Sequence, residues 1–132
     1  MARILVIDDD WAVRKTIEAI LQNAGHGVAI AADGEDGTEQ FRQAPCDLVL
    51  CDIFMPRKSG IATLRALREM SGSIPIVMMS GGAPRQGRQG TEFIDYLELA
   101  LMYGATATIA KPFKATELIA VIEQALRAGG AP

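Results

Sequence analysis

The fold is decided by the stretch ILVIDDD at residues 4–10, in which an uncharged aliphatic run ends in three consecutive carboxylates. The stretch LVLCD at residues 48–52 has the same arrangement with a single carboxylate. Short apolar runs rich in β-branched residues predict strands that are buried on both faces. Because ligands of open α/β sheets bind at the carboxyl ends of the strands, these acids should lie in a binding crevice.

Four carboxylates, those of Asp8, Asp9, Asp10 and Asp52, therefore meet at one edge of the predicted sheet. Two unit charges about 4 Å apart repel each other by ~4 kcal/mol at an effective dielectric constant near 20. Such a cluster needs a cation, and hard oxygen ligands suit Mg²⁺. Asp10 directly precedes a helical pattern, which favours a helix N-cap over a metal ligand at this position.

The pattern of the chain alternates strands and helices. Strands are predicted at residues 3–7, 27–32, 47–51, 74–79 and 106–110, with amphipathic helical patterns between and after them. This alternation is typical of a doubly wound α/β fold, a parallel five-stranded sheet with helices on both faces. Trp11 starts the first helix, where a packing role is favoured.

The length of 132 residues suits one domain, predicted to span 1–127 with a long loop at about 81–92 and a frayed tail at 128–132. The net charge of −3 argues against a nucleic-acid or membrane surface. No signal segment or membrane-spanning stretch is found, which favours a cytoplasmic location. Cys46 and Cys51 would lie ~16 Å apart on an extended chain, so both should stay reduced.

Two further polar side chains, Ser80 and Lys111, follow predicted strands. Acids, a hydroxyl and an ammonium at one sheet edge suit phosphoryl chemistry, because the cations neutralise phosphoryl oxygens and a carboxylate serves as nucleophile. No glycine-rich loop follows the first strand, which argues against a dinucleotide site or a P-loop.

At these residues the chain resembles the receiver domain of bacterial two-component response regulators, of the chemotaxis type that consists of one domain. The resemblance rests on ILVIDD at 4–9, DLVLCDIFMP at 47–56 with Gly60, Ser80 at the end of a hydrophobic strand, and KPF at 111–113. It covers almost the whole chain and implies a flavodoxin-like sheet with the strand order 2-1-3-4-5.

The resemblance also implies roles at the site. Asp52 is similar to the aspartate that accepts a phosphoryl group, Ser80 to the hydroxyl residue that moves onto this group, and Lys111 to the lysine that pairs with it. The bond between Lys111 and Pro112 would be cis.

The implied metal ligands are Asp9, Asp52 and the backbone carbonyl of Phe54, with Asp8 acting mainly through water. Together these oxygens would bind Mg²⁺, the cation that suits the cluster of carboxylates.

The implied partners are a histidine kinase or histidine phosphotransfer protein as phosphoryl donor, and a downstream protein on the face of the fourth helix, fifth strand and fifth helix. Many members also dimerise through the fourth helix. Because no room remains after Pro132 for a DNA-binding domain, we expect a stand-alone signalling module without direct nucleic-acid or membrane contact. Its only catalysis would be its own phosphoryl transfer and dephosphorylation.

The chain departs from the family between Ser80 and Lys111, where it is longer by about two helical turns' worth of residues. The extra residues fall in Gly81–Gly90, where we expect a surface loop, or a lid or docking surface beside the site. Thr108 occupies the position of an aromatic switch residue, so we expect signalling through a helix at Phe93–Tyr103 and the fifth strand instead.

Two other functions remain open. In a haloacid-dehalogenase-like phosphatase, Asp8 would be the nucleophile and Asp10 the general acid. Ala12 stands where that motif needs a hydroxyl residue, and no acidic pair follows Lys111 at a later strand end. A degenerate receiver would bind partners without being phosphorylated, and the complete set of acids, serine and lysine argues against it.

Overall fold

Five parallel strands form one sheet in the computed structural model, which describes residues 1–55, 58–80 and 96–130. The strands are β1 (Arg3–Ile7), β2 (Gly27–Ala31), β3 (Leu48–Asp52), β4 (Ile76–Ser80) and β5 (Ala107–Ala110). Their order is β2-β1-β3-β4-β5. The predicted α/β fold and strand order are therefore confirmed.

Helices cover both faces of this sheet. They are α1 (Trp11–Asn23), α2 (Gly34–Gln43), α3 (Gly60–Met70), α4 (Tyr96–Met102) and α5 (Ala115–Gly130). One core contains buried side chains of α2, α3 and α4, and the other contains those of α1 and α5. Side chains of the central strands alternate between the two cores, as the period of two along a strand requires.

The strand register brings the carboxyl ends of four strands to one level. Ile7 pairs with Cys51, Asp52 pairs with Met79, and Ser80 pairs with Ala110. The residues that follow β1 and β5 therefore lie beside the last residues of β3 and β4. This edge is where the candidate functional residues meet.

Asp52 and Ser80 are the last residues of their strands, whereas the sequence placed each of them just after a strand. The N–H of Ile53 donates to the carbonyl of Met79 at 2.8 Å, so pairing continues through Asp52. β4 begins at Ile76, later than predicted, because Pro75 has no N–H to donate to a ladder. β3 and β4 are thereby displaced by one or two residues from their predicted bounds, whereas β1 has the predicted bounds.

Several smaller predictions have clear outcomes. Cys46 and Cys51 are both free, and the peptide bond between Lys111 and Pro112 is cis, as predicted. The packing role predicted for Trp11 is wrong, because 66% of this residue is exposed. No helix in the described part of the chain is long and apolar enough to cross a membrane.

Some predictions concern residues outside the described ranges. These are the long loop at about 81–92, the extra residues Gly81–Gly90 and the start of the predicted helix at Phe93. α5 continues to Gly130, into the tail predicted at 128–132.

Candidate functional site

Three carboxylates converge at the edge of the sheet. Oxygen atoms of Asp8, Asp9 and Asp52 all lie within 4.8 Å of one another. Asp8 is fully buried, Asp52 is 4% exposed and Asp9 is open to solvent. The cluster is thus buried at Asp8 and Asp52 and exposed at Asp9, so a small ligand can reach it from solvent at Asp9.

Lys111 brings one positive charge to this cluster from the end of β5. Its Nζ lies 2.7 Å from Asp8 Oδ2 and 3.5 Å from Asp52 Oδ1. Burial alone lowers the pKa of Lys111, but the two carboxylates outweigh it and the net direction is upward. The lysine therefore stays protonated, and three carboxylates face one ammonium.

Asp52 Oδ1 contacts Lys111 as an ion pair at 3.5 Å and not as a hydrogen bond. This oxygen is buried and accepts no hydrogen bond from the described residues. Burial, followed by the charge of Asp8, raises the pKa of Asp52 to about 6. A buried carboxylate oxygen without a donor, next to two more carboxylates, is a donor set that fits a hard divalent cation such as Mg²⁺.

Asp10 stays out of the cluster, as predicted. Its Oδ1 accepts hydrogen bonds from the N–H groups of Ala12 and Val13 at 2.9 and 3.2 Å, so it caps α1. Its own N–H donates to Asp8 Oδ1 at 2.9 Å. Asp10 thus fixes the start of the helix with its side chain and the orientation of Asp8 with its main chain.

Gly60 brings the start of α3 against the main chain of Asp52. Its N–H donates to the carbonyl of Ile53 at 2.7 Å. A Cβ atom at this position would lie 2.1 Å from the carbonyl oxygen of Asp52, closer than atoms can approach. The glycine is therefore required by this close approach, and Ser59 caps the helix by accepting from the N–H of Ala62.

Comparison with known proteins identifies the family. The family model for the response regulator receiver domain matches residues 4–123. The chain belongs to this family. This receiver is 37% identical over 125 residues to the DNA-binding response regulator MtrA of Mycolicibacterium paratuberculosis, covering 95% of this chain and 51% of that protein. It is 36% identical over 120 residues to the transcriptional regulatory protein DltR of Streptococcus agalactiae, covering 91% of this chain and 50% of that protein.

A solved structure gives the same result. The receiver domain of NtrX from Brucella abortus has 33% sequence identity and a TM-score of 0.82, and the match covers 94% of this chain and 98% of that chain. The receiver spans about half the length of the curated relatives named above.

Receivers belong to the response regulators of two-component systems, which are signalling proteins that pair with histidine kinases and downstream effectors. The receiver family was the interpretation that the motifs favoured, and it is confirmed. The phosphatase and the degenerate receiver are not favoured by these comparisons. Receivers generally bind Mg²⁺ at an acidic pocket, and this chain has such a cluster of aspartates.

The receiver fold brings together most of the residues singled out in the sequence. Asp8, Asp9, Asp52 and Lys111 form one charged group. Ser80 is half-buried at the end of β4, and its carbonyl accepts a hydrogen bond from the N–H of Lys111 at 2.8 Å.

Two further residues at this edge were missed in the sequence. Nη1 of Arg14 donates to the carbonyl of Asp8 at 2.8 Å and so holds the loop after β1. A positive charge near the N-terminus of a helix is disfavoured by the helix dipole. This unfavourable position is the sequence signal that could have indicated a partner for Arg14. The ring of Tyr96 contacts that of Phe54, with centroids 4.9 Å apart. No sequence pattern indicated this contact.

Proposed function

We propose that this receiver accepts a phosphoryl group on Asp52 from a histidine kinase or a histidine phosphotransfer protein, in a reaction that depends on Mg²⁺. The observation that carries the proposal is the buried Oδ1 of Asp52, which has no hydrogen-bond donor among the described residues and lies 3.5 Å from Lys111 Nζ. An oxygen in this state is available as a nucleophile, and the lysine beside it is a ready counter-ion for a phosphoryl group.

In the proposed step, a carboxylate oxygen of Asp52 attacks the phosphorus of the donor's phosphohistidine. A P–O bond forms as the P–N bond breaks. The electron pair of the broken bond returns to the imidazole, which takes up a proton. The product is an acyl phosphate on Asp52, and hydrolysis of its P–O bond by water returns the carboxylate and releases inorganic phosphate.

Asp9, Asp52 and the backbone carbonyl of Phe54 would hold Mg²⁺, with Asp8 acting mainly through water. The ion would neutralise the charge of the carboxylates and of the incoming phosphoryl oxygens. The proximity of the Asp8, Asp9 and Asp52 oxygens supports this assignment. Asp8 has a second task in the protein, because it already accepts a hydrogen bond from Lys111.

After transfer, Lys111 would pair with the phosphoryl oxygens and the hydroxyl of Ser80 would donate to them. This local change in charge would bias the surface formed by α4, β5 and α5 towards a second conformation that a downstream protein recognises. Leu101, Met102 and Tyr103 expose apolar area at the end of α4, which supports a protein partner there. On this proposal the receiver catalyses only its own phosphoryl transfer and dephosphorylation.

Several finer points stay predictions. They are the cytoplasmic location, the homodimer and the absence of direct nucleic-acid contact. MtrA is named as a DNA-binding protein, and this chain spans about half of it.

The proposal is tested by intact-mass measurement after incubation with Mg²⁺ and acetyl phosphate. Wild type and Asp10→Asn should gain one phosphoryl group, and Asp52→Asn should gain none. Asp10→Asn is the matched control, because it removes a neighbouring carboxylate and keeps an oxygen that can cap α1. An adduct that survives Asp52→Asn, or turnover of the donor that is lost in Asp8→Asn and kept in Asp52→Asn, would refute the proposal; the second result would support the phosphatase.

A further inference from the structure

Phe54 connects the acidic site to α4. It follows the acceptor Asp52 by two residues, and its neighbours Ile53 and Met55 are buried, so the position of its main chain is tied to that of the strand end. The residue is 42% exposed, and its ring packs edge-on against that of Tyr96, with centroids 4.9 Å apart and an interplanar angle of 77°. One residue thus has its main chain beside the site and its ring against the first residue of α4.

The opposite end of α4 has a matching contact with a different neighbour. Tyr103 lies seven positions after Tyr96, on the same side of the helix after two turns. The guanidinium of Arg65 in α3 lies 5.1 Å from the centroid of the Tyr103 ring. The two tyrosines therefore tie α4 to the site at one end and to α3 at the other.

α4 contacts the core through a few side chains of the described residues. Within Tyr96–Met102, Ala100 is the buried residue, and its side chain is a single methyl group. Leu101 and Met102 are 48% and 78% exposed. Tyr96 and Leu97 also pack, partly buried, against the same core. The contact of Tyr96 with Phe54 therefore belongs to a short set of contacts, among the described residues, that fix the position of α4.

We propose that Tyr96 is a positioning residue that couples the state of the Asp52 site to the position of α4 through the ring of Phe54. The proposal rests on the proposed function, because Phe54 contributes its backbone carbonyl to the cation site there. A change in the main chain at Phe54 moves its ring, and the ring carries Tyr96 and the start of α4 with it. Coupling is reciprocal, so loss of the Tyr96 ring also weakens binding at the site.

The experiment uses beryllofluoride with Mg²⁺ as a phosphoryl mimic. Affinity is followed by the fluorescence of Trp11, the one tryptophan of the chain, which starts α1 beside Asp9 and Asp10. The response of α4 is followed by hydrogen exchange of peptides that cover 96–102. The variants are Tyr96→Leu, the conservative Tyr96→Phe, and Tyr103→Leu as the matched control on the same face of the helix.

In wild type, Tyr96→Phe and Tyr103→Leu, saturating beryllofluoride should change exchange in α4. Tyr96→Leu should bind the mimic about two- to tenfold more weakly, the range expected for the loss of an aromatic pair. Its α4 peptides should not respond even at saturation. Tyr96→Leu with wild-type affinity, or with a wild-type response in α4, would overturn the proposal.

A second measurement covers the case in which Tyr96→Leu unfolds α4. Affinity for the mimic is measured for Phe54→Leu, Tyr96→Leu and the double variant. The loss of affinity in the double variant should be about two- to tenfold smaller than the product of the two single losses, because both substitutions remove the same contact. Additive losses would overturn the coupling. Failure of the wild-type chain to bind beryllofluoride would instead count against the proposed function.

Discussion

Lys111 lies closer to Asp8 than to Asp52, with Nζ–oxygen distances of 2.7 and 3.5 Å. The fully buried carboxylate therefore has the lysine as its hydrogen-bond partner. In the described part of the chain, Oδ1 of the proposed acceptor accepts no hydrogen bond. The charges of the two neighbouring acids are therefore balanced in different ways. The charge of Asp8 is paired with the ammonium of Lys111, whereas that of Asp52 is left for an external cation or a phosphoryl group.

Removal of the lysine charge should therefore destabilise the protein. Lys111→Met leaves the buried Asp8 without its partner, and we expect the free energy of unfolding at pH 7.5 to fall by about 1–3 kcal/mol. Urea unfolding measures this loss. Lys114→Met is the control, because Lys114 is exposed and its change should stay within about 0.5 kcal/mol. Equal effects of the two variants would contradict the role of Lys111.

Loss of the acceptor charge should have the opposite effect. The pKa of Asp52 rises from its ordinary 3.8 to about 6 on folding. Between these values the folded state keeps a proton that the unfolded state releases, so stability falls as pH rises through about 6. At pH 7.5 without divalent cations, Asp52→Asn should be more stable than wild type by roughly 1–3 kcal/mol.

This advantage of Asp52→Asn should vanish near pH 4, where the carboxyl of Asp52 is protonated in the folded state. Mg²⁺ should reduce it at pH 7.5, because the ion relieves the repulsion in wild type. Urea unfolding of wild type and Asp52→Asn near pH 4 and at pH 7.5 measures this difference in stability. A wild type that is as stable as the variant at pH 7.5 would show that burial and the neighbouring carboxylates do not disfavour the charge of Asp52 as described.

Asp9 and Asp10 are adjacent, but substitution of Asp9 should change the affinity for Mg²⁺ and substitution of Asp10 the stability. Asp10→Ala removes the cap of α1 and should cost about 1 kcal/mol of stability, with Mg²⁺ affinity within about twofold of wild type. Asp9→Ala should keep its stability and lose affinity about tenfold or more, since it removes an anionic ligand. Trp11 fluorescence gives the affinity and urea unfolding the stability. The same pattern for both variants would contradict this division of roles.

Gly60 should tolerate no side chain. Gly60→Ala places a Cβ 2.1 Å from the carbonyl oxygen of Asp52, so we expect a loss of at least about 2 kcal/mol and weaker phosphorylation. Gly72→Ala is the control, because no atom lies within 4 Å of its added Cβ. That variant should be unchanged or more stable by up to about 1 kcal/mol. A stable, fully active Gly60→Ala would mean that α3 does not start against Asp52 as described.

The sheet could be predicted from the sequence because its signals are local. The runs before Asp8 and Asp52 are short, apolar and uncharged, and their burial on both faces needs no knowledge of distant residues. The cluster of carboxylates could be predicted from the same runs, since parallel strands end at one edge of the sheet. Even so, the position of Asp52 within β3 depended on pairing with Met79 of another strand, which no local pattern contains.

Contacts that depend on the three-dimensional path of the chain could not be predicted in this way. The bond from Arg14 to the carbonyl of Asp8 requires the turn between β1 and α1 to be known in three dimensions. The contact between Phe54 and Tyr96 depends on where α4 starts and on the rotamers of both rings. The exposure of Trp11 was missed for a related reason, because an aromatic residue at a helix start gives no sign of which side it faces.

The central claim is that Asp52 carries the phosphoryl group, and it is tested most directly by locating the acyl phosphate. The protein is incubated with acetyl phosphate with and without Mg²⁺, reduced with borohydride, digested and sequenced by mass spectrometry. Borohydride converts a phosphorylated aspartate to homoserine. We predict homoserine at position 52 alone, and only when Mg²⁺ is present. Homoserine at position 8, 9 or 10, or an equal yield without Mg²⁺, would contradict the account.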